Sequence, residues 1–150
     1  MDAIQLLKID HDAVKALLNE LASTTKRAEK KRQDLLARIG KEIEIHTRVE
    51  EEIFYPAIKK AGKKVEDERL YFEALEEHRA VGELVLPDLQ ATSPATDQFS
   101  GRAKVLKELV EHHADEEEKK MFPRAKELLS KEDLVELAKQ IQARKAELGA

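Results

Sequence analysis

The chain has 150 residues and a formal net charge of −4, with 41% hydrophobic and 39% charged residues. Acidic and basic side chains are interspersed, so the charge pattern makes no case for binding nucleic acid or an anionic membrane. The lack of cysteine excludes disulfides, thiolate ligands and iron–sulfur clusters.

Glycine and proline are scarce, at five and four residues, and Ala, Glu, Lys, Leu and Arg dominate long stretches. This composition predicts an all-α protein, with residues 1–150 forming one domain. No apolar run approaches membrane-spanning length, and the N-terminus lacks the apolar centre of a signal peptide. A soluble cytoplasmic protein is the expectation.

The first predicted helix runs from about Asp2 to Ser23, with Asp2 as N-cap and Ile4, Leu7, His11, Val14 and Leu18 on one face. The second runs from about Lys30 to Ala61 along Leu36, Ile39, Ile43, His46, Glu50 and Ile53. Pro56 should kink it or end it near Tyr55, and Gly62 stops what remains. The third, about Glu66 to Leu86, carries Tyr71, Leu75, His78, Val81 and Val85, and Pro87 opens a linker over Asp88 to Thr96. The fourth, about Asp97 to Leu129, carries Leu106, Val110, His113 and Glu117, with Pro123 bending its end. A fifth helix, about 130–148, opens on a capping-box-like Ser130-Lys-Glu-Asp133 and has Leu134, Leu137, Ile141 and Leu148 on its apolar side. Short connections favour antiparallel neighbours. The expected architecture is an up-down-up-down four-helix bundle over about 1–128 with the C-terminal helix outside it.

One pattern is written twice. His46-Thr-Arg-Val-Glu50-Glu-Glu-Ile-Phe-Tyr-Pro56 recurs 67 residues later as His113-Ala-Asp-Glu-Glu117-Glu-Lys-Lys-Met-Phe-Pro123. His11 and His78 precede the two copies by 35 residues each. The four histidines therefore lie on the apolar stripes of four different helices, which converge in a bundle. His46 and Glu50 are four residues apart, as are His113 and Glu117. That spacing is about 40° of rotation and about 6 Å of rise, so both members of a pair reach one volume.

An ionised glutamate on a core stripe is costly unless it is paired or bound to metal. A carboxylate can bridge two cations, which in such sites lie about 3.5–4 Å apart. The candidate metal ligands are His11, His46, Glu50, His78, His113 and Glu117. Mixed nitrogen and oxygen donors suit iron, manganese or zinc. The competing reading is a buried Glu–His hydrogen-bond cluster without metal. Glu51, Glu52, Glu116 and Glu118 belong to a solvated face or orient the imidazoles from outside. His112 points about 100° from His113 on an ideal helix, and the repeat register selects His113. His-Glu-x-x-His, Glu-x-x-His, phosphate loops and Gly-x-Ser-x-Gly elbows are all absent.

With Asp10-His11, His46-x-x-x-Glu50-Glu51, Glu77-His78 and His113-x-x-x-Glu117-Glu118, followed by Phe-Tyr-Pro and Met-Phe-Pro, the chain resembles the hemerythrin-like, or HHE cation-binding, family over about residues 1–128. The resemblance implies a non-haem centre of two Fe ions, oxo- or hydroxo-bridged when oxidised. His11 and His46 would serve one iron, His78 and His113 the other, with Glu50 and Glu117 bridging. Oxygen-carrying hemerythrins have a further His one turn before the position matched by His78, where this chain has Ala74. They also place the last carboxylate five residues after its His, a spacing that His112 and Glu117 satisfy, so the choice between His112 and His113 stays open. Water, His112, Tyr55 or Tyr71 could fill the missing position, although core packing is the simpler role for both tyrosines.

The implied ligands are O2, peroxide or NO, with catalase-like or NO-related oxidoreductase activity among the roles. The alternative is a metal-storage or iron/oxygen-sensing module without turnover, or a plain structural bundle.

Overall fold

Asp2 starts the first helix by a reciprocal cap. Its carboxylate accepts from the Gln5 amide, and the Gln5 side chain accepts from the Asp2 amide, each at 2.9 Å. The computed structural model describes residues 1–150, with helices as its only regular elements. Helix α1 spans Ala3–Ala22. Helices α2 (Glu29–Val49) and α3 (Tyr55–Ala61) form one rod, as do α4 (Val65–Arg79) with α5 (Leu86–Gln90), and α6 (Asp97–Glu116) with α7 (Phe122–Leu128). Helix α8, Lys131–Glu147, lies outside this four-rod bundle against α1, α2 and the turn after α2.

Three of the four prolines lie within the rods and do not break them. Each of these is preceded by a wide π-helical turn, at Glu50–Phe54 before Pro56, Ala80–Val85 before Pro87 and Glu117–Met121 before Pro123. Proline lacks an amide hydrogen, and its ring crowds the preceding turn. The wide turn relieves that crowding with bonds from Tyr55 to Glu50, Leu86 to Val81, and Phe122 to Glu117, each spanning five residues. The expected stop near Tyr55 is therefore a helical continuation. The expected linker at Asp88 shortens to residues 91–96, because α5 carries Pro87 in its first turn and runs on to Gln90. Gly62 does end α3, but its φ is −63°. The glycine is required by close approach, since a Cβ there would lie 2.9 Å from that of Asp67.

Two apolar clusters fill the bundle. One contains Ile4, Leu7, Val49, Phe54, Phe122 and Met121 and receives Leu134, Leu137 and Ile141 of α8. Burying such side chains stabilises by roughly 1.5–3 kcal/mol each before entropy is counted. The other contains Val14, Leu18, Ile39, Ile43, Val81 and Leu106. On α1, Leu7 belongs to the first cluster and Val14 to the second, with His11 between them. The same alternation places His46, His78 and His113 in one polar layer across the bundle.

Both ends are tied. Arg32, 1% exposed, uses all five guanidinium N–H groups on Thr24, Pro94, Thr96 and Ser100 at 2.6–3.1 Å, joining the two loops at that end. At the other end, Asp67 accepts from Arg124 Nε and Nη2 at 2.7 and 3.0 Å and from the Lys63 and Lys64 amides.

Candidate metal centre

The polar layer brings all six sequence-selected residues together. Their inward atoms form two groups, His11/His46/Glu50/Glu117 and Glu50/His78/His113/Glu117, each with donors within 4.8 Å of one another. Both glutamates belong to both groups. His11 Nε2 lies 3.0 Å from Glu117 Oε1, and His78 Nε2 lies 3.0 Å from Glu50 Oε1. His46 Nε2 is 2.9 Å from Glu50 Oε1, and His113 Nε2 is 3.4 Å from Glu117 Oε1. The geometry repeats at the 67-residue offset, so the centre has an approximate twofold axis. Glu50 is 0% and Glu117 2% exposed, whereas His46 retains 12% side-chain exposure.

Each imidazole is held from behind by a carboxylate on another rod. His11 Nδ1 meets Glu118 and His46 Nδ1 meets Asp10, both at 2.9 Å. His78 Nδ1 meets Glu51 and His113 Nδ1 meets Glu77, both at 2.8 Å. A carboxylate accepting from Nδ1–H turns Nε2 inward as the donor for a cation. Glu52 and Glu116 take no such part: Glu52 pairs with Arg48 and Arg144, and Glu116 with Lys120. Asp10 and Glu77 are the partners that helical spacing missed. Each directly precedes a site histidine in the sequence yet supports the histidine of the other rod in its pair.

The electrostatics follow from burial and carboxylate pairing. Burial opposes the charged form of His46, but the nearby Glu50 charge and the bond to Asp10 outweigh it and raise the pKa to about 10. His78 is raised to about 9 against the same burial, by Glu50 and Glu51. Burial raises Glu117, reinforced by the neighbouring Glu50 charge. Glu50 is lowered despite burial, because His46 and His78 both favour its charged form. The site thus concentrates negative charge that must be neutralised by protons or by a cation.

Tyr55 enters the centre, contrary to the direction expected on an ideal helix. The wide turn over Glu50–Phe54 delays its rotation and aims its hydroxyl inward. Tyr55 Oη donates to Glu117 Oε2 and lies 3.1 Å from His78 Nε2 and 3.4 Å from His113 Nε2. Tyr71 stays outside and packs against Tyr55 edge-on, with ring centres 6.4 Å apart. His112 is 65% exposed and does not join the inward donors. Ala74 is buried in the apolar cluster that contains Tyr55.

The residues fit a bound cation pair. His46 Nε2 and Glu50 Oε2 are buried and have no hydrogen-bond partner. His46 Nε2 is near Glu50 Oε1, but off the direction of a hydrogen bond. Orphaned buried polar atoms are costly, and a shared metal would satisfy both. Beside the histidines is a cavity of about 40 Å³, roofed by Val14, Ile43, Val81 and Val110.

A helical bundle with a buried His/Glu layer defines a cation-binding bundle protein. The chain belongs to the hemerythrin HHE cation binding domain family, whose model matches residues 2–125. It is similar to the crystal structure of a hemerythrin HHE cation binding domain-containing protein, the Rv2633c homolog from Mycobacterium kansasii. That likeness has a TM-score of 0.84 and 29% identity, and covers 99% of this chain and 87% of that one. The uncharacterized protein Rv2633c of Mycobacterium tuberculosis is 30% identical over 123 residues, covering 82% of this chain and 71% of that protein. A DNA nickase from Nostoc sp. is 27% identical over 148 residues; the match covers 99% of this chain but 40% of the nickase.

Proposed function

We propose that the chain binds two iron ions between its four rods and uses them to bind or react with small oxygen or nitrogen species, namely O2, peroxide or NO. The observation that carries the reading is the pair of buried glutamates shared by two histidine groups. His11 and His46 would hold one ion, His78 and His113 the other, and Glu50 and Glu117 would be common to both. When bound, the ions would supply Lewis acidity and electron transfer.

The protein's own residues set the conditions for that chemistry. Asp10, Glu51, Glu77 and Glu118 orient the imidazoles. Tyr55 orients Glu117 by donating to one of its oxygens. The four roofing side chains leave about 40 Å³ beside the histidines, room for a molecule of two or three heavy atoms rather than a metabolite. With alanine at position 74, reactivity with peroxide or NO is favoured over reversible O2 carriage. Strand nicking receives no electrostatic support from a net charge of −4.

The test is to load the protein with Fe(II) without oxygen, then record visible spectra after adding O2, peroxide or NO while following peroxide consumption. The reading predicts a spectral response to at least one species, and peroxide or NO turnover. A metal-dependent rise in melting temperature with no response or turnover would instead establish the storage or sensing alternative.

A further inference from the structure

The two halves of the centre match in their histidine and glutamate donors; they differ in the Tyr55 hydroxyl on one side and in what lies behind the imidazoles. Asp10 divides its carboxylate between two elements: Oδ2 accepts from His46 Nδ1 at 2.9 Å, while Oδ1 accepts from Lys145 Nζ on α8. The site is largely enclosed, with Asp10 12% and Lys145 19% exposed at their side chains. The 67-residue offset puts Glu77 in the corresponding place. Its Oε1 meets His113 Nδ1 at 2.8 Å, but its Oε2 has only His112, 65% exposed and 3.6 Å away. One supporting carboxylate therefore carries a half-buried ammonium and the other does not.

Helix α8 is built to hold that ammonium in place. Ser130 and Asp133 cap its start reciprocally at 3.0 and 3.1 Å. Leu134, Leu137 and Ile141 anchor its apolar face. Arg144, next to Lys145, grips Glu52 at 2.7 Å on the wide turn after α2. The matched family region ends at residue 125, before α8 begins.

We propose that Lys145 is a positioning residue through which the C-terminal helix makes the two metal positions unequal. The ammonium withdraws charge from Asp10 and weakens it as an acceptor for His46 Nδ1–H. His46 is then a poorer electron donor through Nε2 than His113, whose Glu77 partner faces only the exposed His112 and no ammonium. The ion held by His11 and His46 is the more electron-poor and the more weakly bound of the pair. This inference rests on the two-ion reading above.

The experiment compares wild type with Lys145→Met, Lys145→Arg and Lys139→Met, a control at an exposed lysine of the same helix. The readouts are anaerobic Fe(II) titration, Mössbauer spectra of 57Fe-loaded protein and metal-free melting temperature. Wild type should bind the two ions in separated steps and show two distinct iron signals. Lys145→Met should tighten the weaker step by about tenfold and draw the two signals together. Lys145→Arg should restore the separation, and Lys139→Met should leave it unchanged. Unaltered steps and signals in Lys145→Met, or equal weakening of both steps with a lowered melting temperature in Lys145→Met and Lys145→Arg alike, would overturn the inference while leaving the two-ion reading in place. Fewer than two irons bound by wild type would instead overturn the two-ion reading.

Discussion

The half of the centre around His11 and His46 and the half around His78 and His113 share their histidine and glutamate donors but not their surroundings. Behind the first lie Asp10 with Lys145, and Phe122 stacked on His11 with ring centres 5.8 Å apart and planes 7° apart. Behind the second lie Glu77, and Tyr55 stacked on His78 at 5.2 Å with its hydroxyl on Glu117. Tyr55 and Phe122 are counterparts at the 67-residue offset, so one hydroxyl distinguishes the two stacks. The repeated residues build the centre, whereas the unrepeated ones give each half its own surroundings.

The most damaging change should strike what the halves share. Glu50→Ala or Glu117→Ala should each abolish paired binding, measured as metals per chain after exposure to Fe(II). His11→Ala or His78→Ala should be milder and leave one ion bound. Retention of two metals in both glutamate variants would remove the bridging assignment.

Next come the outer carboxylates. Asp10→Asn, Glu51→Gln, Glu77→Gln and Glu118→Gln should each weaken metal binding by about 10–100-fold. Each loss should fall mainly on the ion served by the supported histidine, as resolved by stepwise titration. Equal loss at both positions from all four changes would show that the halves do not act separately.

Tyr55→Phe makes the two stacks alike. It should cost only about 1 kcal/mol of metal-free stability by chemical denaturation. Its larger effect should be on the spectrum and reaction of the iron-loaded protein with peroxide. An unchanged spectrum and rate would reduce Tyr55 to packing.

The smallest effect is one of pH. In chelator-treated protein, His78 and His46 have pKa values raised to about 9 and about 10. Raised folded values mean that their contribution to stability is fully present below the unfolded value of about 6.5 and is lost as pH rises through about 9 to about 10. Melting temperature should therefore fall across that alkaline window. Cations compete with the same protons, so metal uptake should release protons and weaken as pH falls. A flat alkaline stability profile together with proton-neutral metal uptake would contradict both expectations.

The sequence made the repeated chemistry readable because helical spacing and a fixed 67-residue register suffice to bring His46, Glu50, His113 and Glu117 onto converging stripes. Sequence spacing decides least where regular α-helical rotation fails. The wide turn before Pro56 re-aims Tyr55, and the one before Pro87 lets α5 occupy part of the expected linker. Asp10 and Glu77 were visible beside His11 and His78, but their service to His46 and His113 depends on contacts between rods. Lys145 lies among the charged residues of the fifth helix, and its partner is 135 residues away. Long-range polar contacts of that kind leave no periodic signal.

The measurement that tests the central claim most directly is anaerobic Fe(II) titration of the wild-type chain with metal counted per chain. The shared-glutamate centre predicts saturation at two ions, one for each histidine group. Saturation at one ion, or failure to retain iron, would contradict it.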